Sequence, residues 1–208
     1  MIEFIDEKGL IDPIGGDLGV DVAITAFSTH IFDELIKRTG AKPTCGIKGC
    51  ADVDVYMFES GGKRIAVYRS TIGAPAAAAY AEEMFASGIN HLIAFGICGA
   101  LVDTPPHAFI VPDKAFRDEG TSYHYLPKAE YIDIKNAATV QSSLEKSGVS
   151  TMTGGTWTTD GFYRETRARA DMMKDNGCIA VDMECSALQA VADFRGKQFY
   201  TFFITADS

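Results

Sequence analysis

The sequence predicts an α/β fold whose sheet is covered by helices on both faces. Three observations lead there. Strand-like and helix-like segments alternate along the chain. The strand-like segments are continuous apolar runs rather than in-out alternations, which is the pattern of strands buried on both faces. No repeat, low-complexity tract or Pro/Ser-rich linker interrupts the 208 residues, so residues 1–208 read as one domain.

VDVAITAF (20–27) reads as a buried strand. THIFDELIKRTG (29–40) follows as a helix, with Ile31, Phe32, Leu35 and Ile36 on one face and Gly40 as its stop. Residues 53–70 read as a hairpin turning at Gly61-Gly62. APAAAAYAEEMFASG (74–88) is a helix, with Pro75 suited to its first turn and Gly88 at its end. HLIAFGICGAL (91–101) is a strand running into a glycine turn, and HAFIVP (107–112) is another strand. KNAATVQSSLEKSG (135–148) is a helix and VSTMTGGTWTT (149–159) a strand with a glycine break. GFYRETRARADMMKDNG (161–177) is largely helical. CIAVDM (178–183) is a short strand, SALQAVADFRG (186–196) a helix, and KQFYTFFITADS (197–208) a very apolar strand. Ligands of such sheets gather where strands end. That directs attention to the segments ending at Gly96, Thr159, Met183 and Asp207.

Net charge is −9. Sequence-independent nucleic-acid binding is driven by phosphate neutralisation with Lys and Arg, so this balance argues against it, and against an anionic membrane surface. No apolar run is long enough to span a bilayer, and the N-terminus lacks the basic start and apolar run of a signal peptide. Five cysteines without a Cys-x-x-Cys pair read as reduced thiols of a cytosolic protein. The four histidines lack metal-ligand spacing, so no metal is expected. There is no G-x-S-x-G of a serine hydrolase and no P-loop.

Four stretches stand out. At 182–184, Asp-Met-Glu ends a strand just before a helix. A carboxylate there is either a favourable partner of the helix dipole or a ligand group. As a ligand group, Glu184 suits a sugar diol, because a carboxylate offers acceptors and no donors, while Met183 packs on the ring. At 157–165, WTTDGFYRE reads either as a capped helix start, Thr159 or Asp160 being the cap and the aromatics lying in the core, or as a site in which Phe162 stacks on a planar base. GICG (96–99) and ITADS (204–208) are weak signals individually.

Together these stretches resemble the nucleoside phosphorylase family, which includes purine nucleoside phosphorylases, uridine phosphorylases and related nucleosidases. The matching pieces are STIGAPAAAAYAEEM (70–84), GICGAL (96–101), TTDGFYRE (158–165), VDMECSAL (181–188) and ITAD (204–207), in order. The resemblance implies a phosphorylase/hydrolase-like three-layer fold with a central mixed sheet. It implies cleavage of the N-glycosidic bond of a ribonucleoside, with ribose held by Met183 and Glu184. The base would lie against Phe162, beside Gly99 and Thr159, and Asp207 would be the acid that protonates the leaving base. Uridine-specific members usually lack that acid, so Asp207 leans towards a purine or a modified base. No cofactor is implied beyond phosphate as co-substrate, and a homodimer or higher homo-oligomer is expected.

The chain departs from the family in two ways. The phosphate ligands are largely missing: Ala26 stands at a glycine position, His30 near an arginine position, Ala94 and Ile97 where an Arg and a Ser/Thr are usual, and Ala51 near a further Arg. Arg69, Ser70, Thr71 and His30 are the groups left to bind phosphate. If they do not, the expected alternatives are a nucleosidase using water and a nucleoside-binding protein without turnover. Family members also usually continue through another helix beyond the Asp, so the expectation is either a chain shortened at its C-terminus or an Asp207 less well covered than usual.

Overall fold

The structure is a computed structural model that describes residues 4–44, 46–49 and 52–206. It contains a ten-stranded mixed sheet. The parallel centre is β1 (Val22–Ala26), flanked by β4 (Lys63–Arg69) and β5 (His91–Ala100). Beyond β4 lie β3 (Val55–Ser60) and the two-residue β2 (Lys42–Pro43), both antiparallel. On the other side, β10 (Gln198–Thr205) runs parallel to β5 and antiparallel to β6 (Phe109–Asp118). β8 (Thr151–Thr159) lies parallel to β6 and to β9 (Cys178–Asp182), and β7 (Tyr131–Asp133) is a short antiparallel addition to β6.

β9 then returns to β5. Gly99 pairs with Val181 and Ala100 with Ala180, antiparallel. Strands β5, β10, β6, β8 and β9 therefore close into a ring, and β1, β4, β3 and β2 extend from β5 as an open sheet. Closure removes sheet edges where it occurs.

Helices cover the sheet. α1 (Thr29–Thr39) packs on β1 and β4, and ends at Gly40 with φ 65°. α2 (Ala74–Ala86) has Pro75 in its first turn, where its missing N–H costs nothing. It packs on α5 (Cys185–Phe194), and its buried alanines 74, 77, 78 and 81 let the two backbones approach. α3 (Ala137–Lys146) lies against β6, β8 and β10, and α4 (Arg167–Asp175) against β9.

The sequence reading holds for the strand and helix order and for the hairpin, whose Gly61 and Gly62 have φ of 58° and 74°. It needs three corrections. GICG is not a turn, because β5 continues to Ala100. Its glycines serve close approach instead: a Cβ on Gly99 would sit 2.6 Å from Val181 Cγ1. The strand at 107–112 is longer than read, reaching Asp118, and β7 and a 3-10 turn at Thr121–His124 follow in a stretch without clear periodicity. Residues 161–177 are helical only from Arg167, apart from a single 3-10 turn at Phe162–Arg164. Thr166 caps that helix through its hydroxyl, so neither Thr159 nor Asp160 does so.

Gly99→Ala is expected to destabilise the fold by about 1–3 kcal/mol, the cost of overpacking a filled contact. Val181→Ala in the same chain should recover part of that loss. Denaturant unfolding of the single and double variants measures both.

Candidate active site

A cavity of about 360 Å³ opens where β1, β4 and β10 end. Phe27 and Ser28 line it after β1, Ile72 after β4, and Ala206 after β10. Ile97, Cys98 and Gly99 enter from β5, and Val181, Asp182, Met183 and Glu184 from β9 and the turn into α5. Phe162 and Glu165 complete it. A cleft of about 420 Å³ lies near the opposite strand ends, where Val22, His91 and Tyr200 meet Thr139 and Val140 of α3, and it takes none of the motif residues.

The two carboxylates of Asp-Met-Glu differ sharply. Asp182 Oδ1 accepts from the hydroxyls of Thr156 and Thr158, each at 2.9 Å. Its Oδ2 accepts from the N–H of Glu184 at 2.8 Å and of Cys185 at 2.6 Å. The carboxylate thus ties β8 to the first turn of α5. Burial pushes its carboxyl pKa up, and these four donors oppose that rise.

Glu184 is buried, and its Oε1 accepts from the Gly73 N–H at 2.6 Å. Gly73, with φ 106°, sits at the start of α2 and holds a backbone conformation that a side chain would strain. Burial, and after it the charge of Asp182, push the Glu184 carboxyl up to about 8. The Cys98 thiol on the same wall is pushed up to about 12 by burial, so it is a neutral apolar group there.

Phe162 stands at the cavity with 46% of its surface exposed and its ring centroid 3.9 Å from that of Tyr163, which is 88% exposed. These aromatics are outside the core, unlike Trp157, whose indole is buried and donates to Asp118 at 2.9 Å. The structure therefore brings Met183, Glu184, Phe162 and Gly99 together around one cavity. Thr159 is not among its lining. Its hydroxyl is buried, donates to Asp118 at 3.4 Å and accepts from the Gly161 N–H at 3.3 Å. Asp207 lies outside the described residues, directly after Ala206, whose N–H donates to the Cys98 carbonyl at 3.1 Å.

The phosphate candidates do not line the cavity. Arg69 is exposed and donates to Thr29 Oγ1 at 2.7 Å. Ser70 is buried and donates to the Thr71 carbonyl at 3.1 Å. Thr71 and His30 are exposed. Of the family positions that lack their usual ligands, Ile97 lines the cavity, Ala94 is buried in β5, and Ala51 lies outside the described residues.

Sequence reading missed Glu165, although it ends the quoted TTDGFYRE stretch. It lines the cavity, and burial raises its carboxyl pKa. It also missed Ser28 and Ile72, which follow strand ends.

Among the described residues no cluster of three or more His, Cys, Asp or Glu is placed to hold a metal. Cys98, Cys178 and Cys185 are free, and Cys45 and Cys50 lie outside the described residues. No described helix is long and apolar enough to cross a membrane.

A mixed sheet with five strands closed into a ring, and at its strand ends a cavity holding a buried carboxylate, a methionine and an exposed aromatic, defines an α/β protein with a pocket of small-molecule size. Residues 21–208 match the phosphorylase superfamily, and the chain belongs to it. It is 30% identical over 151 residues to a DeoD-type purine nucleoside phosphorylase of Colwellia psychrerythraea, covering 70% of this chain and 64% of that protein. A DeoD-type relative from Bacillus cereus is 29% identical over 154 residues with the same shares. The chain thus spans less than two thirds of the length of these curated relatives. Among solved structures, uridine phosphorylase from Vibrio fischeri superposes with a TM-score of 0.81 at 22% identity, covering 94% of this chain and 83% of that one. AMP nucleosidase from Bacteroides thetaiotaomicron superposes with a TM-score of 0.75 at 18% identity, covering 91% and 80%. These two share the fold.

The raised pKa of Glu184 has a consequence for stability. In the unfolded chain this carboxyl ionises near its ordinary value of 4.5, and in the folded chain near 8. Between those values the unfolded state binds fewer protons, so rising pH erodes stability, by about 1.4 kcal/mol per unit. Glu184→Gln keeps an acceptor for Gly73 and removes the titration. Relative to wild type, its unfolding free energy should gain roughly 2–4 kcal/mol between pH 5 and pH 8, measured by denaturant titration at each pH.

Proposed function

We propose that the protein cleaves the N-glycosidic bond of a ribonucleoside, as nucleoside phosphorylases do. The observation that carries this reading is Glu184: a buried carboxylate held on one oxygen by Gly73, lining the same cavity as Met183 and Phe162. The ribose hydroxyls would donate to Glu184, Met183 would pack on the sugar, and the base would lie on Phe162. Holding the sugar in this way converts a bimolecular encounter into an oriented one. As the C1′–N bond breaks, its electron pair passes to the base. Asp207, next in the chain after the cavity-lining Ala206, would give the base a proton, and the nucleophile's oxygen would bond to C1′.

Phosphate as that nucleophile has one place in its favour. The first turn of α1 presents backbone N–H groups, Ser28 makes no side-chain cap, and Arg69 is held there through Thr29. Water is favoured by the lining itself. Its carboxyl groups belong to Glu165, Asp182 and Glu184, and among the described residues no Lys, Arg or His lines it. A multiply charged anion needs cationic or several N–H partners when it leaves water. A homo-oligomer belongs to the same proposal. Ile72, Ile97, Phe162 and Tyr163 are exposed, and a second copy seated at the cavity mouth would cover such groups.

The deciding assay follows base release from purine and pyrimidine ribonucleosides, with and without phosphate. Phosphate-dependent ribose 1-phosphate establishes phosphorolysis, and free ribose under both conditions establishes hydrolysis. Tight nucleoside binding with no release overturns the enzymatic reading. Where release occurs, Asp207→Asn is expected to lower turnover by roughly 10²–10⁴-fold with little change in nucleoside affinity.

A further inference from the structure

Asp182 lines the cavity, yet it is badly placed to bind a ligand. An ionised carboxylate has about four lone-pair sites. Here four protein donors fill them: Thr156 and Thr158 on Oδ1, and the backbone of Glu184 and Cys185 on Oδ2. The support continues away from the cavity. Thr158 Oγ1 also accepts from the Ser186 N–H at 3.2 Å, and Ser186 Oγ donates to Glu119 Oε1 at 2.9 Å. Glu119 Oε2 in turn accepts from the Ser122 N–H at 2.9 Å. All of these side chains are buried.

We propose that Asp182 is the positioning residue of this site: it fixes the backbone of Glu184 so that the Glu184 carboxylate meets both the Gly73 N–H and the ribose. This rests on the ribose-binding reading of Glu184. Asp182 holds the N–H of Glu184 itself, so the link from Thr156 and Thr158 to the sugar is one residue long. On the far side, Glu184 reaches across 111 residues to Gly73, so a rotation at its backbone would break the contact between α5 and the start of α2.

A second consequence follows from the charge that Asp182 carries. It raises the Glu184 carboxyl, second only to burial. Among the described residues, the other titratable groups around Glu184 are Cys98 from β5 and Glu165, which line the same cavity, and Cys185 on α5, which feels the Glu184 charge. Burial raises both thiols far enough to keep them neutral near pH 7, and it raises Glu165. Ionised Glu184 is the better acceptor for a diol, so riboside affinity in the wild type should climb as pH rises through about 8.

The test separates geometry from charge. Asp182→Ala removes the acceptor and leaves two N–H groups and two hydroxyls without it. Asp182→Asn keeps an oxygen for the two N–H groups, and its NH₂ can donate to the two threonine hydroxyls, so the loop is retained and the charge is lost. Calorimetric binding of inosine, adenosine, guanosine and uridine is compared with binding of their free bases between pH 6 and 9.5. Asp182→Ala should weaken ribosides at least tenfold and free bases less than twofold. Asp182→Asn should recover most of that loss and move the midpoint of the riboside pH profile down by about one unit, consistent with the usual size of a neighbouring-charge effect. Equal losses for riboside and base, or an unmoved midpoint in Asp182→Asn, overturns the inference while leaving the ribose reading intact. Wild-type protein that binds no riboside better than its free base overturns both. Should Asp182→Ala fail to fold, the Asp182→Asn midpoint still decides, and Thr158→Val, which removes one donor, should give a smaller riboside-selective loss.

Discussion

The site exists because β5 outlasts its neighbour. β1 ends at Ala26, opposite Phe95, but β5 runs on for five residues to Ala100. Those residues meet β9 at Gly99 and Val181, and this contact closes the ring of five strands. It also fixes where the cavity lies. Phe27 leaves β1 over the overhanging part of β5, and a Cβ on Gly96 would come within 3.1 Å of its ring. On the other side, the residues following Val181 are Asp182, Met183 and Glu184, so the register that closes the ring also delivers the carboxylates. A side chain at Gly99 would separate β5 from β9, and a register slip would turn Glu184 away from Gly73.

Two adjacent carboxylates show how environment assigns roles. Asp182 has four donors and faces no shortage of partners, whereas Glu184 is held by backbone alone, by the Gly73 N–H at 2.6 Å and by Met183, and lines the cavity. Burying a charge is costly, and a hydrogen bond to a charged group returns about 1.5–3 kcal/mol. Asp182 is therefore compensated within the protein. Burial raises both carboxyls; at Glu184, burial and after it the charge of Asp182 outweigh the backbone hydrogen bonds and push the carboxyl up to about 8. A carboxyl buried beyond what its hydrogen bonds offset weakens the empty protein at high pH and would suit a ligand that brings donors. On the proposed reading, function and instability would share one residue, which is common at sites shaped for binding.

Much of this was legible in the sequence, and the unreadable parts have physical causes. Apolar runs marked the strands, Gly61-Gly62 marked the hairpin, and Pro75 marked the start of α2, because each acts locally. Asp-Met-Glu before a helix was visible as a candidate site, although the division of labour between Asp182 and Glu184 was not. That division depends on Thr156 and Thr158, more than 20 residues away, and on Gly73, 111 residues away. GICG looked like a turn because glycines often make turns, whereas here they let one strand touch another. Thr159 looked like a pocket residue from its place at a strand end, but the alternation of β8 turns it towards Asp118. Glu165 had no local pattern to announce it.

The same geometry frames the question of the nucleophile. In this cavity the groups available to a nucleoside are mainly carboxyls and apolar side chains, and Arg69 is tied to α1 rather than to the cavity wall. Phosphate would have to sit at the α1 end, where Ser28 borders both the helix and the cavity. It would share that cavity with Ile97, at a position where a hydroxyl would help and a branched alkyl group offers nothing. Water makes no such demand, because it carries no charge into the site and can be oriented by a single acceptor. Burial raises the carboxyls of both Glu165 and Glu184, and Glu184, at about 8, can exchange a proton near neutral pH. A cavity whose described polar lining is mostly carboxyl directs little of that polarity at an anion, and on the proposed reading most of it would meet the sugar.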